Sequence, residues 1–176
     1  MKGFTLIETM VAITILSFAM AGPLFTASRA IIAAETARDQ LTASYLAHEG
    51  IEYVRVTRDN LYLATYHSDS GDVSGTAWVE FLAFFVQCNA ALDKVCTLDP
   101  RGIPAIQTCS IGSCAPLHLV DGVYQQREDG VPAPFTRTIQ IVDVSPTEEK
   151  IVSKVSWNFH GTPYAVTVSD HLTAWK

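Results

Sequence analysis

The residue that makes the strongest chemical demand is Glu8, because it lies inside an otherwise apolar segment. Residues 4–25 read FTLIETMVAITILSFAMAGPLF, and Glu8 is the single charged residue among them. A carboxylate at the centre of a membrane-spanning helix costs about 2.5–3.5 kcal/mol on insertion scales, and such residues are usually functional. The sequence therefore predicts that another group compensates the charge of Glu8.

Four cysteines are the other residues whose type and spacing could do chemistry: Cys88, Cys96, Cys109 and Cys114. They could form disulfides, stay reduced or bind zinc, but their C-x7-C and C-x4-C spacings differ from the C-x2-C pairs of zinc folds. We expect two disulfides, since all four follow the apolar segment and lie in the part predicted to be exported, where disulfides persist. Of the three connectivities we favour Cys88–Cys96 with Cys109–Cys114, because short loops close most readily.

Motifs of the common catalytic classes do not occur in the sequence. It has no Gly-rich phosphate loop, no G-x-S-x-G elbow and no H-E-x-x-H pair. The formal net charge is −6 and the basic residues are scattered, whereas nucleic-acid binding needs clustered Lys and Arg. We predict that the protein is not an enzyme, needs no cofactor or metal and has no nucleic-acid partner. The histidines are expected to be surface or turn residues: His48, His67, His118, His160 and His171.

The apolar segment, residues 4–25, is long enough to hold Glu8 within a membrane. As a helix, its roughly 22 residues rise about 33 Å, and the hydrocarbon core of a bilayer is about 30 Å thick. Lys2 precedes the segment, so the positive-inside rule predicts a cytoplasmic N-terminus and export of the chain that follows. Gly22 and Pro23 are predicted to break the helix near its far end, because proline removes a helical hydrogen bond and glycine adds backbone freedom.

Three interpretations of this N-terminus differ in how the precursor is handled. A secretory signal peptide would be cleaved after Ala19-Met20-Ala21, whereas a plain signal anchor would stay uncut in the membrane. Neither accounts for Glu8. The third does, because Lys2-Gly3-Phe4-Thr5-Leu6-Ile7-Glu8 resembles the type III signal of type IV prepilins and pseudopilins. In that signal a short basic leader ends in Gly, Phe follows, and Glu is the fifth residue after the cut.

The resemblance covers about the first 25 residues and implies a role for each motif residue. A prepilin peptidase would cut between Gly3 and Phe4, and the same enzyme would methylate the new amine of Phe4. Glu8 would then pair with the Phe4 ammonium of a neighbouring pilin subunit, since two buried opposite charges offset each other's desolvation. Gly22 and Pro23 would form either a kink at the membrane exit or a segment that unwinds when subunits pack into a filament.

Residue patterns along the chain predict an α+β fold, with a long N-terminal helix packed on a C-terminal antiparallel β-meander. The same architecture is what the resemblance to pilins implies. We expect four parts: a leader peptide at 1–3, a transmembrane and filament-core helix at 4–25, an amphipathic continuation of the helix at 26–60 and an exported globular head at 61–176.

Within the head, the clearest pattern is the period-2 alternation of apolar and polar residues, which predicts the meander over 135–169. Asp121-Gly122 predicts a hairpin turn, and the cysteines predict a disulfide-pinned loop over 88–114. The apolar run of residues 78–86 is consistent with a core strand or a buried helix, and periodicity does not decide between them.

These features predict a structural subunit, a minor pilin of a type IV pilus that is inserted in the cytoplasmic (inner) membrane and then moves into an extracellular filament. Its partners would be the prepilin peptidase and methyltransferase, other pilin subunits and the inner membrane. The alternatives are a pseudopilin of a type II secretion system, which the sequence does not separate from a pilus subunit, and a pilus-tip adhesin or DNA-uptake subunit. An exposed aromatic cluster around Trp78 or Trp175 would favour the tip subunit.

Overall fold

A computed structural model of the chain describes residues 3, 5–68, 71–102, 104–109, 114–127 and 129–175. Lys2 and Phe4, to which the sequence assigns the leader charge and the methylated amine, lie outside these residues. The chain forms two compact units that divide between Gln40 and Leu41.

Helix α1 spans Leu6–His67 and contributes residues to both units. It extends beyond the predicted limit at residue 60 because its last turns pack in the exported unit as well. Leu61 lies against the core of that unit, and the Thr65 hydroxyl donates a hydrogen bond to the Leu61 carbonyl at 2.9 Å. Tertiary contacts of this kind, more than propensity, determine where a helix ends.

The expected helix break at Gly22 and Pro23 is not present in the single chain, where α1 is helical through both residues. Proline removes one backbone donor, and a helix this long keeps its neighbouring hydrogen bonds on both sides. The Thr26 hydroxyl also donates to the carbonyl of Pro23 at 2.9 Å. Unwinding of this segment on filament packing stays a prediction.

The second unit contains a further helix, two short 3₁₀ helices and eight strands. Helix α2 is Val73–Phe84, and the 3₁₀ helices are Val86–Cys88 and Ala90–Leu92. The strands are β1 (Cys96–Leu98), β2 (Ile106–Thr108), β3 (His118–Val120), β4 (Val123–Gln125), β5 (Val131–Pro132), β6 (Thr136–Ser145), β7 (Glu148–Phe159) and β8 (Thr162–Thr173).

These strands form two antiparallel sheets in the exported unit. The larger has the order β2-β1-β6-β7-β8, and the smaller has the order β4-β3-β5. Strands β6, β7 and β8 are the predicted meander, and they extend a few residues beyond its predicted end at 169. The predicted turn at Asp121 and Gly122 joins β3 to β4, and both residues have positive φ values, 48° and 79°, as a two-residue hairpin turn requires. The α+β expectation is confirmed.

The apolar run of residues 78–86, which could not be assigned from periodicity, begins inside α2. Asp72 caps this helix by accepting a hydrogen bond from the Gly75 N–H at 3.0 Å. Trp78 and Phe81 are buried, and they join a core cluster formed with α1 and the large sheet: Ile51, Val54, Phe85, Leu98, Ile106, Ile139, Ile141, Ile151 and Leu172. A second cluster packs the earlier part of the same unit: Ala43, Leu46, Ala47, Leu117, Phe135, Val155 and Trp157.

Arg137 joins helix α1 to the sheet from a fully buried position on β6. Its guanidinium donates to the Leu46 carbonyl at 3.1 Å and to the Leu98 carbonyl at 2.7 Å. It also forms an ion pair with Glu49. A buried charge is tolerated only with such partners, so Arg137 ties the register of α1 to that of β6 and β1.

Gly50 lies where α1 approaches the sheet closely. A Cβ atom built on it would be 2.6 Å from the Ser153 Oγ and 2.7 Å from the Ile139 Cδ1. Real Cβ atoms essentially never come this close to another heavy atom. The glycine that weakens the helix in sequence terms therefore allows the helix to pack on the sheet.

Candidate assembly site

The apolar surface of α1 in the first unit is the main candidate for a site of assembly. All described residues from 5 to 35 are exposed, and two of the largest side chains, Phe18 and Leu24, are 82 % and 69 % exposed. This part of α1 has a mean hydropathy of 1.8 in its most apolar stretch, and it is the one helix of the described residues long and apolar enough to cross a membrane. A helix that is apolar on all sides is stable only when lipid or other protein surrounds it.

The polar side chains of this segment are satisfied within the helix itself. The hydroxyls of Thr9 and Thr14 donate to the carbonyls of Leu6 and Val11, each at 2.8 Å. Ser17 donates in the same way to the Ile13 carbonyl at 2.9 Å. Because a lipid environment offers no hydrogen-bond partners, these local bonds make the hydroxyls compatible with a membrane.

Glu8 is the exception to this pattern. It lies in the first turn of α1, where a negative charge is favoured by the helix dipole. Over the described part of the chain, its carboxylate forms no hydrogen bond or ion pair, while its backbone N–H donates to the Thr5 carbonyl at 3.1 Å. The compensating charge predicted from the sequence is thus not supplied by the described residues of the same chain.

Gly3 is exposed, and a Cβ atom built on it would meet no atom within 4 Å. Packing within the chain therefore does not require glycine at this position. The other residue of the predicted cleavage site, Phe4, lies outside the described residues.

The cysteines form two disulfides, Cys88–Cys96 and Cys109–Cys114, which are the pairs favoured from loop length. Cys88 and Cys96 are buried in the first core cluster and connect a 3₁₀ helix to β1. Cys109 and Cys114 are half-buried and close a loop of which residues 110–113 are not described. The two bonds therefore differ in what they hold: the first is part of the core, and the second ties a peripheral segment.

Around the predicted aromatic positions, only Trp175 has substantial exposure. Trp78 is buried in the core, whereas Trp175 is 44 % exposed. The indole of Trp175 packs against Tyr62 with ring centroids 5.5 Å apart, and the Arg58 guanidinium lies 4.9 Å from its centre. Both tryptophans line one cavity of about 940 Å³.

The predicted absence of a metal site concerns the acidic, histidine and cysteine side chains. Within the described ranges, no three of them are grouped so that they could hold a metal ion. The histidines are not brought together. His160 lies in the β7–β8 turn with a positive φ of 50°, and the His171 Nδ1 lies 2.7 Å from the Glu148 Oε1.

An acidic pair that the sequence reasoning missed lies at the end of the β6–β7 hairpin. Asp143 and Glu149 face each other across the two strands, and Glu149 is only 3 % exposed. The signal was available in the sequence, because Glu149 has the same period-2 phase as the buried Ile151 and Val155. Burial raises the pKa of Glu149 to about 7, with a smaller contribution from the neighbouring Asp143.

Comparison with known proteins gives one match, at the N-terminus. Residues 1–22 match the family described as the prokaryotic N-terminal methylation motif, which is the signal of type IV prepilins. The match includes Gly3, Phe4, Glu8 and Gly22. We found no significant match among curated proteins or solved structures. The motif supports a type IV pilin-like or pseudopilin protein, and it fits a precursor anchored in the inner membrane.

Proposed function

We propose that this chain is a structural subunit of a type IV filament, a minor pilin that is trimmed after Gly3, methylated on Phe4 and assembled through α1. The observation that carries the proposal is the N-terminal methylation motif on a helix whose apolar surface is exposed on all sides. A signal for processing and a surface that needs protein or lipid around it occur on the same residues. Both are required of a subunit that passes from a membrane into a filament.

Glu8 has a specific role in this proposal. Its carboxylate has no partner in the described chain, and processing would create a positive charge on Phe4 of every subunit. A neighbouring subunit docked in register brings the two charges together. A subunit docked out of register leaves both unpaired in an apolar environment, at a cost of several kcal/mol. Glu8 would therefore select the register of assembly.

Gly3 would serve the peptidase and not the fold. Since no atom lies within 4 Å of a Cβ at this position, Gly3→Val leaves the packing of the described chain unchanged. We expect this variant to stay uncut in the membrane while its exported unit folds normally.

The experiment that tests assembly follows Glu8→Ala and Glu8→Gln through insertion, cutting and incorporation. Both variants should insert at least as well as the wild type, because a charge is removed from the apolar segment, and both should be cut. Both should be missing from sheared filaments, because docking would leave the Phe4 ammonium unpaired.

The matched control is Glu35→Gln, which removes an exposed carboxylate from α1 beyond the apolar segment. It should enter filaments like the wild type. Normal incorporation of Glu8→Gln would contradict the charge-pairing role. Incorporation is scored on this subunit itself, since filaments can form without a minor subunit.

A second candidate, a pilus-tip binding module, is favoured by the half-exposed Trp175 beside the cavity of about 940 Å³. Apolar and aromatic surface beside a few polar groups is typical of ligand pockets. Trp175→Ala separates the candidates: a tip module loses adhesion of the cells while the subunit still enters the filament. Unchanged adhesion with normal incorporation would leave the structural role alone.

A further inference from the structure

A carboxyl pair without a positive partner lies beneath the outer surface of the exported unit. Asp143 on β6 and Glu149 on β7 are cross-strand partners, and their carboxyl groups contact each other. Asp143 Oδ1 accepts a hydrogen bond from the Asn89 side-chain amide at 3.0 Å. Glu149 Oε2 is buried and has no hydrogen-bond partner among the described residues.

These two carboxyl groups line a cavity of about 370 Å³. The rest of its described lining comes from apolar residues of α2, of the segment after α2 and of β6, together with Asn89: Val79, Leu82, Ala83, Phe85, Val86 and Ile141. No lysine or arginine is among the described lining residues, and the two acids are their titratable groups. The cavity thus combines apolar walls with an uncompensated acidic end.

The outer edge of the cavity is apolar and open to solvent. Val79 is 65 % exposed and Val86 is 48 % exposed, and Phe84, next to the lining residue Phe85, is 44 % exposed. Exposed apolar residues grouped around a cavity are typical of protein-interaction surfaces. A buried acidic group at the centre of such a surface calls for a positively charged group on the partner.

We propose that this cavity receives a lysine side chain of a partner polypeptide, with the aliphatic stem against Val79, Leu82 and Val86 and the ammonium between Asp143 and Glu149. Lysine is matched to the site because its stem buries along apolar surface while its ammonium donates hydrogen bonds. Glu149 Oε2 is the acceptor that the exported unit leaves unused. This inference rests on the exported unit alone and is independent of the N-terminal motif.

A divalent cation fits the same residues less well. Calcium takes six to eight oxygen ligands, whereas the lining offers two carboxyl groups and one side-chain amide. The oxygen of that amide, Asn89 Oδ1, already accepts a hydrogen bond from the Ala91 N–H at 2.8 Å. The apolar walls supply no further side-chain oxygen.

The charge state of the pair gives the binding a characteristic pH dependence. Burial and Asp143 raise the pKa of Glu149 to about 7, so the free pair holds a proton that an arriving ammonium displaces. Binding should therefore tighten as the pH rises toward 7. Between pH 6 and pH 7 the ionised fraction of such a group rises about fivefold, and affinity should rise by the same factor.

The first experiment titrates the mature chain, in detergent micelles, with butylammonium chloride, which has the stem and charge of a lysine side chain. Backbone amide NMR signals of Val79, Asn89 and Ile141 report on the cavity. A ligand this small should bind with a Kd on the order of 1–10 mM, and more tightly at pH 7 than at pH 6. Glu149→Gln should weaken binding at least tenfold, because the unpaired acceptor loses its charge.

Glu148→Gln is the matched control, since it removes the same charge from the adjacent residue of β7, which pairs with His171 and does not line the cavity. It should bind butylammonium like the wild type. The absence of a saturable shift, equal weakening by both variants, or binding that does not change with pH would overturn the proposal. Saturation of the same signals by calcium chloride, with butylammonium silent, would overturn it in favour of a metal site.

A second titration tests the polypeptide source of the amine, using the peptides Ac-Val-Lys-Val-NH2 and Ac-Val-norleucine-Val-NH2. The lysine peptide should bind at least tenfold more tightly than butylammonium, because its flanking apolar residues contact the exposed edge of the cavity. The norleucine peptide should not shift the Asn89 signal. Equal affinity of the lysine peptide and butylammonium, or equal shifts by both peptides, would contradict a polypeptide partner.

Discussion

Gly50→Ala is the substitution whose outcome depends most directly on how closely α1 approaches the sheet. The added methyl group would lie 2.6 Å from the Ser153 Oγ and 2.7 Å from the Ile139 Cδ1. Both neighbouring residues have no exposed surface, so they must shift within a close-packed core. Overpacking of this kind lowers the free energy of unfolding by about 1–3 kcal/mol.

Helix propensity acts in the opposite direction. Alanine is favoured over glycine in a helix interior by about 0.8–1.0 kcal/mol. The overpacking cost minus this gain leaves a net destabilisation of about 1 kcal/mol, with a range of roughly 0–2 kcal/mol. The sign of the measured change therefore shows which effect is larger.

The assay is urea unfolding of the mature chain in detergent micelles, followed by tryptophan fluorescence, for Gly50→Ala in two backgrounds. In the wild-type background the substitution should lower stability without changing the urea m-value. In a background carrying Ser153→Ala and Ile139→Val, both obstructing atoms are gone. There the same substitution should raise stability by up to about 1 kcal/mol.

The difference between the two backgrounds is the quantity that tests the reasoning, since contacting residues show such non-additive effects. A gain of about 1 kcal/mol in both backgrounds would equal the full helix propensity. It would show that Gly50 is not there for close packing, and the reasoning would be refuted.

Two further predictions concern the exported unit. Glu149→Gln should stabilise the protein at pH 8 but not at pH 4: the pKa is raised from 4.5 to about 7 in the folded chain, so the wild type loses stability as the pH rises between those values, by roughly 3 kcal/mol in all. Urea unfolding across this pH range checks it, and parallel pH profiles for the two proteins would contradict it. Replacing Cys88 and Cys96 with alanine should lower the free energy of unfolding by more than replacing Cys109 and Cys114: each loop closure is worth about 2–3 kcal/mol, and the first pair also packs in the core. Equal losses, or a Cys96–Cys109 link in non-reducing peptide maps, would contradict it.

The meander could be predicted from sequence because one face of each strand is buried and the other is not. In β7, residues 149, 151, 153, 155 and 157 are buried and the intervening ones are not, and this difference is written directly as period-2 alternation. The α1 membrane segment was equally clear, because its composition is set by the lipid or protein environment that it needs.

Helix α2 could not be distinguished from a strand, because its apolar residues form a run without a dominant period. Its best local signal is Asp72, whose side chain accepts from the Gly75 N–H, as an N-cap residue does. The small sheet was only partly visible, since β5 has just two residues. Elements this short are stabilised by pairing with distant segments and not by their own pattern.

Within the candidate sites, the sequence indicated the residues whose type conflicts with their surroundings. Glu8 conflicts with an apolar segment, and the conflict could be seen without a structure. Glu149 conflicts in the same way with the apolar face of β7, but a single polar residue in a strand is common. Its importance depends on Asp143 and Asn89, which come from other elements and could be placed beside it only by the fold.

The central claim is that the chain is processed as a prepilin, and the mature N-terminus tests it most directly. Mass spectrometry of the protein purified from membranes and from sheared filaments should find a chain beginning at Phe4 and carrying one N-methyl group. Gly3→Val should give the uncut precursor, beginning at Met1 or Lys2. A mature N-terminus at Gly22 would instead indicate cleavage by a secretory signal peptidase, and the filament-subunit account would be contradicted.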